Sequence, residues 1–309
     1  MKKFLTKLLL LFLLMMFFAV IAEMSVRSIP NTYKYKCAWM KENHERIKTL
    51  AIGASYINNG ICPSAIGDSV YNLAMPAQTL EFDYKILKKY IPLCKNLRYV
   101  LISADHYNML AHPMENSVSN PYRPLYYQLY MNIPTYPFYS PRSYEIADVH
   151  SFRGKLVHYF ISLCSGDPVF DSDSLGWRNH ITLKDRRLDW KEGQYKEIMN
   201  SYKYDCSLSE LDNNVNYLIE ISNLCKEAGV SLIVVSTPKS DYFVKKFPDQ
   251  IISTVNKRIE NCSEEYGFTY RDYYDDKRFV DDDFISSDHL SDIGAIKFSK
   301  ILKEDIKGI

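Results

Sequence analysis

Serine acts as a nucleophile only when a base can take its proton, and this sequence carries one good candidate for each role at opposite ends. Ser55 stands in Ile52-Gly53-Ala54-Ser55, directly after the apolar run Thr49 to Ile52. Such a run behind a charged segment reads as a buried strand of a parallel sheet, and Gly53 permits a tight exit from it. Ser55 therefore falls just past a strand's carboxyl end, where open α/β sheets place their ligands. His289 stands in Ser287-Asp288-His289-Leu290, ahead of a last helix that Ser291 can cap. An imidazole placed there can accept the serine proton and open acyl transfer through a covalent intermediate.

Two rival groupings are weaker. Gly67-Asp68-Ser69 precedes a strand instead of leaving one, which puts Ser69 at the wrong edge of the sheet. Asp105 and His106 sit at a strand end and could form a competing pair, but being adjacent in sequence they read as lining the pocket or binding backbone.

The elements that must position these groups alternate. Strands are expected at 49–52, 69–74, 99–103, 231–236 and 268–271. Between them lie a helical turn at 63–67 and helices at 78–91, 211–226 and 250–266, with a final one running to about Ile306. In the helix at 78–91 the expected stripe is Leu80, Tyr84, Leu87 and Ile91. Alternation of this kind calls for an α/β fold, a parallel sheet with helices on both faces. From 109 to 205 the pattern gives way to a long insertion dense in Tyr and Pro, with helical content around 152–163. Most of its tyrosines can simply pack it onto the domain; exposed ones could stack on sugar rings or meet a membrane partner.

Residues 8–22 are unbroken by charge and follow Lys2, Lys3 and Lys7. A signal anchor over 1–23 is expected, with the amino terminus cytoplasmic and the rest outside the cytoplasmic membrane. Val20-Ile21-Ala22 also offers a cleavage site. Residues 24–46 read as a polar, irregular stalk, and 47–309 as the α/β domain. The formal net charge is +1, and removal of the three lysines leaves the exported part slightly acidic, which excludes nucleic acid as the natural partner. Seven cysteines show no CxxC and no Cys/His spacing, so neither a metal nor another cofactor is expected.

Taken together, these residues resemble the SGNH/GDSL hydrolase superfamily. They most resemble its membrane-anchored bacterial branch, which includes the alginate O-acetylation proteins and the D-alanyl transfer protein of teichoic acids. The resemblance rests on Ile52-Gly53-Ala54-Ser55 with Gly60-Ile61-Cys62-Pro63, on Tyr71-Asn72-Leu73-Ala74 leading to Gln78, and on Asp288-His289-Leu290 with Gly294-Ala295. It implies a three-layer, flavodoxin-like sheet with Ser55 as nucleophile and His289 as base. The Ser55 N–H would be one oxyanion donor, with a second near Ala77 and Gln78, where the family's usual glycine is Ala77. Asn108 is the nearest match to the family's asparagine block. The family's aspartate three residues before the histidine is Ser286 here, which leaves either a Ser–His dyad or a non-standard triad completed by Asp288, whose side chain points away from its neighbour His289 if the segment is extended, or by Asp283, which needs the loop to fold back.

The resemblance further implies a serine O-acyltransferase or esterase acting on acyl groups of a cell-surface polysaccharide. Its expected partner is a membrane-bound O-acyltransferase that delivers the acyl group. The rival reading is a non-catalytic anchored module of the same fold that binds glycan or scaffolds an export complex; Ser286 and Ala77 favour it.

Overall fold

Apolar runs that alternate with amphipathic helices fold, in a computed structural model, into a five-stranded parallel sheet covered on both faces. Residues 1–118, 121–147, 149–166 and 170–306 are described. In chain order the first elements are α1 (Lys2–Ser28), α2 (Thr32–Asn43), β1 (Thr49–Ile52), α3 (Ser55–Gly60), α4 (Pro63–Ile66), β2 (Val70–Asn72), α5 (Leu80–Tyr90) and β3 (Tyr99–Ser103). After these come α6 (His106–Leu110), α7 (Arg123–Met131), α8 (Val149–Ser165), α9 (Glu192–Asp205) and α10 (Leu211–Glu227). The chain closes with β4 (Ser231–Ser236), α11 (Asp241–Lys246), α12 (Asp249–Tyr266), β5 (Thr269–Asp272) and α13 (Asp292–Asp305).

Two compact units result. One is formed by 38–121 with 171–309, the other by 1–37 with 122–170. The stretch read as a single insertion is thus divided, with 122–170 in the smaller unit and the rest in the larger.

In the larger unit the strand order is β2-β1-β3-β4-β5, the flavodoxin-like doubly wound order. All neighbours are parallel, with Leu50 opposite both Tyr71 and Val100. Helices α5, α10 and α12 pack together on one face, while α3, α4 and α13 pack on the other. Ala51, Leu101, Ile233 and Val235 meet Phe298 and Leu302 of α13 in the main core. The buried side of α5 is Phe82, Ile86, Leu87 and Tyr90 with Leu80, and Tyr84 lies at its margin. Of the expected stripe, Leu80, Leu87 and Ile91 are buried; Phe82, Ile86 and Tyr90 widen it, and Asp83, also buried, accepts from Gln78.

Strand β2 is shorter than expected, and the side chain of its last residue, Asn72, binds backbone. Its Nδ2 donates to Ile57 O (2.9 Å) and Ile61 O (3.0 Å), and its Oδ1 accepts from Ala74 N. Asn72 N donates to Leu175 O, and Gly176 lies so close to β2 that a Cβ there would sit 2.1 Å from Asn72 O. The indole of Trp177 donates to Asn59 O (2.8 Å), which clasps the segment after residue 170 onto α3.

The smaller unit contains α1, whose most apolar window has a mean hydropathy of 2.6 and is entirely uncovered, long enough to cross a membrane. At its carboxyl-terminal end Glu23 accepts from Arg27 Nε (2.5 Å) and from the backbone N–H groups of Glu145 and Ile146. Tyr33 packs edge-on against Tyr126 and Tyr127. On α8, Val157, Phe160 and Ile161 form an exposed apolar stripe.

The stretch 24–46, read as irregular, is mostly helical. Its polar look conceals buried positions at Tyr33, Lys36 and Met40, and Trp39 stacks on Tyr71 with ring centroids 3.7 Å apart. Only tertiary packing makes those positions apolar contacts, so residue types alone do not signal the helix.

Candidate active site

The carboxyl ends of β1 and β3 are where the strand order reverses, and an open sheet leaves a crevice there. Ser55 occupies this place, at the first position of α3. Gly53, with φ +140°, makes the turn. A Cβ on it would be strained at that φ and would press within 3.1 Å of Ile57 and 3.3 Å of Ser103, so glycine suits the exit from β1. Because Ser55 opens a helix, its N–H has no intrahelical acceptor and faces outward from the helix start.

His289 arrives from the other end of the chain, and its Nε2 lies 2.7 Å from Ser55 Oγ. Its Nδ1 lies 2.7 Å from Asp288 Oδ1. A carboxylate only accepts, so Nδ1 carries the proton and Nε2 is left to accept from the serine hydroxyl. Adjacent residues face one partner here because 285–289 is a closed turn and not an extended segment. Ile285 N donates to His289 O (3.0 Å), and Phe284 bridges Leu290. The turn is held from below by Ser240, whose Oγ and N–H both donate to Ser287 O.

Ser286, in the place of the family's aspartate, is part of the cluster. Its Oγ donates to Asp288 Oδ1 (2.8 Å) and accepts from His289 N (3.1 Å). The second oxygen of Asp288 accepts from Tyr56 OH at 3.0 Å. Burial pushes the Asp288 carboxyl upward, but His289, Lys239 and the Ser286 hydroxyl outweigh it and hold the carboxyl well below the usual range. The group is therefore an anion at neutral pH.

Asp283 is not brought to His289. Its Oδ2 accepts from Val280 N (2.9 Å) and Lys297 Nζ (2.7 Å), closing the short turn before the site. Gly294 is required by that turn, since a Cβ on it would lie 2.0 Å from Asp283 O. Gln78 is buried with its amide turned to Asp83, away from a ligand-binding role. Asn108 is wholly buried and its amide atoms have no partner among the described residues. Ala77 has φ +54°, the left-handed region that favours glycine. Ser69 lies at the amino edge of the sheet, where its carbonyl accepts from Lys48 and Thr49.

Asp105 pairs with Lys239 (2.9 Å, both side chains fully buried) and accepts from Thr237 N. His106 is enclosed by Phe247, Phe243, Tyr202 and Tyr274. Burial, and then the charge on Lys239, press its imidazole down to about 3.

Sequence reasoning missed Tyr56, Lys239 and Ser286 as parts of the cluster. A signal existed for Lys239, because a lysine in the loop that leaves the apolar strand β4 stands at the same sheet edge as Ser55.

No protein-family model matches the sequence, and no curated protein matches it. Among solved structures it is similar to a mutant of Axe2, an acetyl-xylooligosaccharide esterase from a Geobacillus species, at 12% identity and TM-score 0.38. That match covers 84% of this chain and 93% of the other. A catalytic mutant of Axe2, an acetylxylan esterase from Geobacillus stearothermophilus, is similar at 11% identity and TM-score 0.37, with the same coverage. Likeness at this distance decides nothing about activity.

Proposed function

We propose that this chain is a membrane-anchored serine O-acyltransferase or esterase working outside the cytoplasmic membrane on acyl groups of a surface polysaccharide. The observation that supports it is the unbroken line from Ser55 Oγ through the imidazole of His289 to Asp288 Oδ1, joined by two hydrogen bonds of 2.7 Å each. In this reading Ser55 attacks the acyl carbonyl while His289 takes its proton. Asp288 keeps the imidazole in the required tautomer and steadies the imidazolium. The oxyanion is received by Ser55 N–H. In the loop after β2, Gln78 N–H is engaged with Met75 O, and Ala77 N–H is assigned as the second donor. His289 then returns the proton to the leaving alcohol and activates a water or a sugar hydroxyl, which releases the acyl group from Ser55.

Transfer to a polysaccharide, and delivery of the acyl group by a membrane-bound O-acyltransferase, are suggested by the resemblance of the Ser55 and His289 blocks to the anchored branch of the SGNH superfamily. The uncovered α1, with the apolar stripe of α8 in the same unit, supports a seat at a membrane. The two features that favour a non-catalytic module take other meanings: Ser286 tethers Asp288, and Ala77 already holds the backbone shape for which the family uses glycine.

A fluorophosphonate probe labels only an activated serine. The full chain in detergent should label, and Ser55→Ala should abolish the signal. Ester turnover on p-nitrophenyl acetate, with and without oligosaccharide acceptors, should vanish in Ser55→Ala and His289→Ala. Labelling that survives Ser55→Ala but not Ser69→Ala, or equal turnover in all three proteins, would remove the reading.

A further inference from the structure

In this chain the acid is the histidine's immediate neighbour, so spacing along the backbone does little to aim its carboxylate. Something else must fix it, and the residue beside the nucleophile does so. Tyr56 OH donates to Asp288 Oδ2 (3.0 Å), and its ring stacks on the imidazole of His289 with centroids 4.8 Å apart and planes 30° from parallel. One side chain thus touches both the acid and the base. Beneath it, Lys239 Nζ lies 3.5 Å from the centre of the Tyr56 ring. Lys239 is fully buried, donates to Thr237 Oγ1 (2.7 Å) and is paired with Asp105.

A buried ion pair is a poor source of stability, because desolvating both charges offsets most of their attraction. Its position here is informative. The ammonium faces the ring of Tyr56, where a cation is attracted to the π-face and so holds the ring in place. A phenol held there donates to a carboxylate, and hydrogen bonds to a charged acceptor are the strong ones. Asp105, held by Thr237, keeps the ammonium in place without reaching the histidine.

We propose that Tyr56 and Lys239 are positioning residues that aim and hold Asp288 against His289, substituting for the missing aspartate spacing. This rests on the reading of Ser55, His289 and Asp288 as the reacting group. Both side chains are almost wholly buried, so their place is behind the reacting groups. Tyr56 acts on Asp288 and His289 directly, while Lys239 acts through the ring of Tyr56 and through its charge on Asp288.

Two variants of the full chain test it, Tyr56→Phe and the double substitution Lys239→Met with Asp105→Asn. The first keeps the ring and removes the hydroxyl. The second removes the ion pair without leaving a lone buried charge. The readouts are the low-field proton resonance of His289 Nδ1–H, the kinetics on p-nitrophenyl acetate and the thermal midpoint. Tyr56→Phe should move the low-field resonance upfield and lower kcat about tenfold at nearly constant KM. The double variant should do the same in smaller measure, and both should melt cooperatively. A purely structural pair predicts otherwise: the double variant would restore wild-type kinetics and leave the resonance in place. An unchanged resonance in folded Tyr56→Phe overturns the proposal. Because that signal needs no turnover, it decides the point even if the wild type hydrolyses no ester, an outcome that would count only against the proposed function.

Discussion

Replacing Asp288 by Asn tests the assignment of the acid with almost no change in volume. The carboxylate is 2% exposed and accepts three hydrogen bonds, from His289 Nδ1 at 2.7 Å, Ser286 Oγ at 2.8 Å and Tyr56 OH at 3.0 Å. An amide can place only one oxygen among these donors. If its NH2 faces His289, the imidazole must move its proton to Nε2 and can no longer accept from Ser55, the arrangement that costs about 10⁴ in kcat in serine proteases. If its oxygen faces His289, the tautomer survives, and Tyr56 OH rotates to accept from the amide. What is lost then is the charge that stabilises the imidazolium, worth about 3 kcal/mol for a hydrogen bond to a charged group, or roughly 10² in rate.

The expected fall in kcat/KM for p-nitrophenyl acetate is therefore between about 10² and 10⁴. Asp283→Asn serves as the comparison, since that carboxylate binds Val280 N and Lys297 instead. It should lower the thermal midpoint while leaving kcat/KM within about threefold of wild type. The reverse order, with Asp283→Asn crippled and Asp288→Asn nearly unaffected, would refute both the turn geometry and the mechanism built on it.

Three further outcomes follow from burial and backbone shape. Ala77→Gly should raise stability by about 1 kcal/mol, because alanine is strained at φ +54° and glycine is not; a lowered melting midpoint would contradict this. His106 is held near 3, below its ordinary 6.5, so its contribution is present above pH 6.5 and is lost as pH falls through 3, at most about 5 kcal/mol. His106→Phe should accordingly shift acid unfolding, followed by circular dichroism, to lower pH, and an unmoved transition would count against the enclosed imidazole. Burial raises Asp83 from 3.8 to about 7, so its stabilising contribution is full below pH 3.8 and lost as pH rises through 7, about 4 kcal/mol as an upper bound. Asp83→Asn should therefore gain on the wild type between pH 4 and pH 8 in urea titrations, and a gap that stays constant with pH would refute that assignment.

Much of this was legible in the residues because it follows from local rules. The five expected strands are the five observed, and placing Ser55 past β1 needed only the habit of open sheets to work at their carboxyl edges. The loop before a capped last helix likewise pointed to His289, and Ser291 does accept from Gly294 N. The acid was not legible, and Asp283 and Asp288 both stayed open, because the choice depends on a turn closed by Ile285 N and His289 O. Residue order cannot show whether neighbours lie in an extended segment or in such a turn, and that alone decides whether Asp288 can face His289. The helix at 32–43 was missed for a related reason, since Tyr33 is buried against Tyr126 and Tyr127, far along the chain. Tyr56 and Lys239 show the same limit more sharply. Each is unremarked in its own stretch, a tyrosine after a serine and a lysine after a strand. Their meaning comes from β1 and β4 flanking β3, an arrangement that brings both carboxyl ends to one edge, where a single ammonium, ring and carboxylate can align.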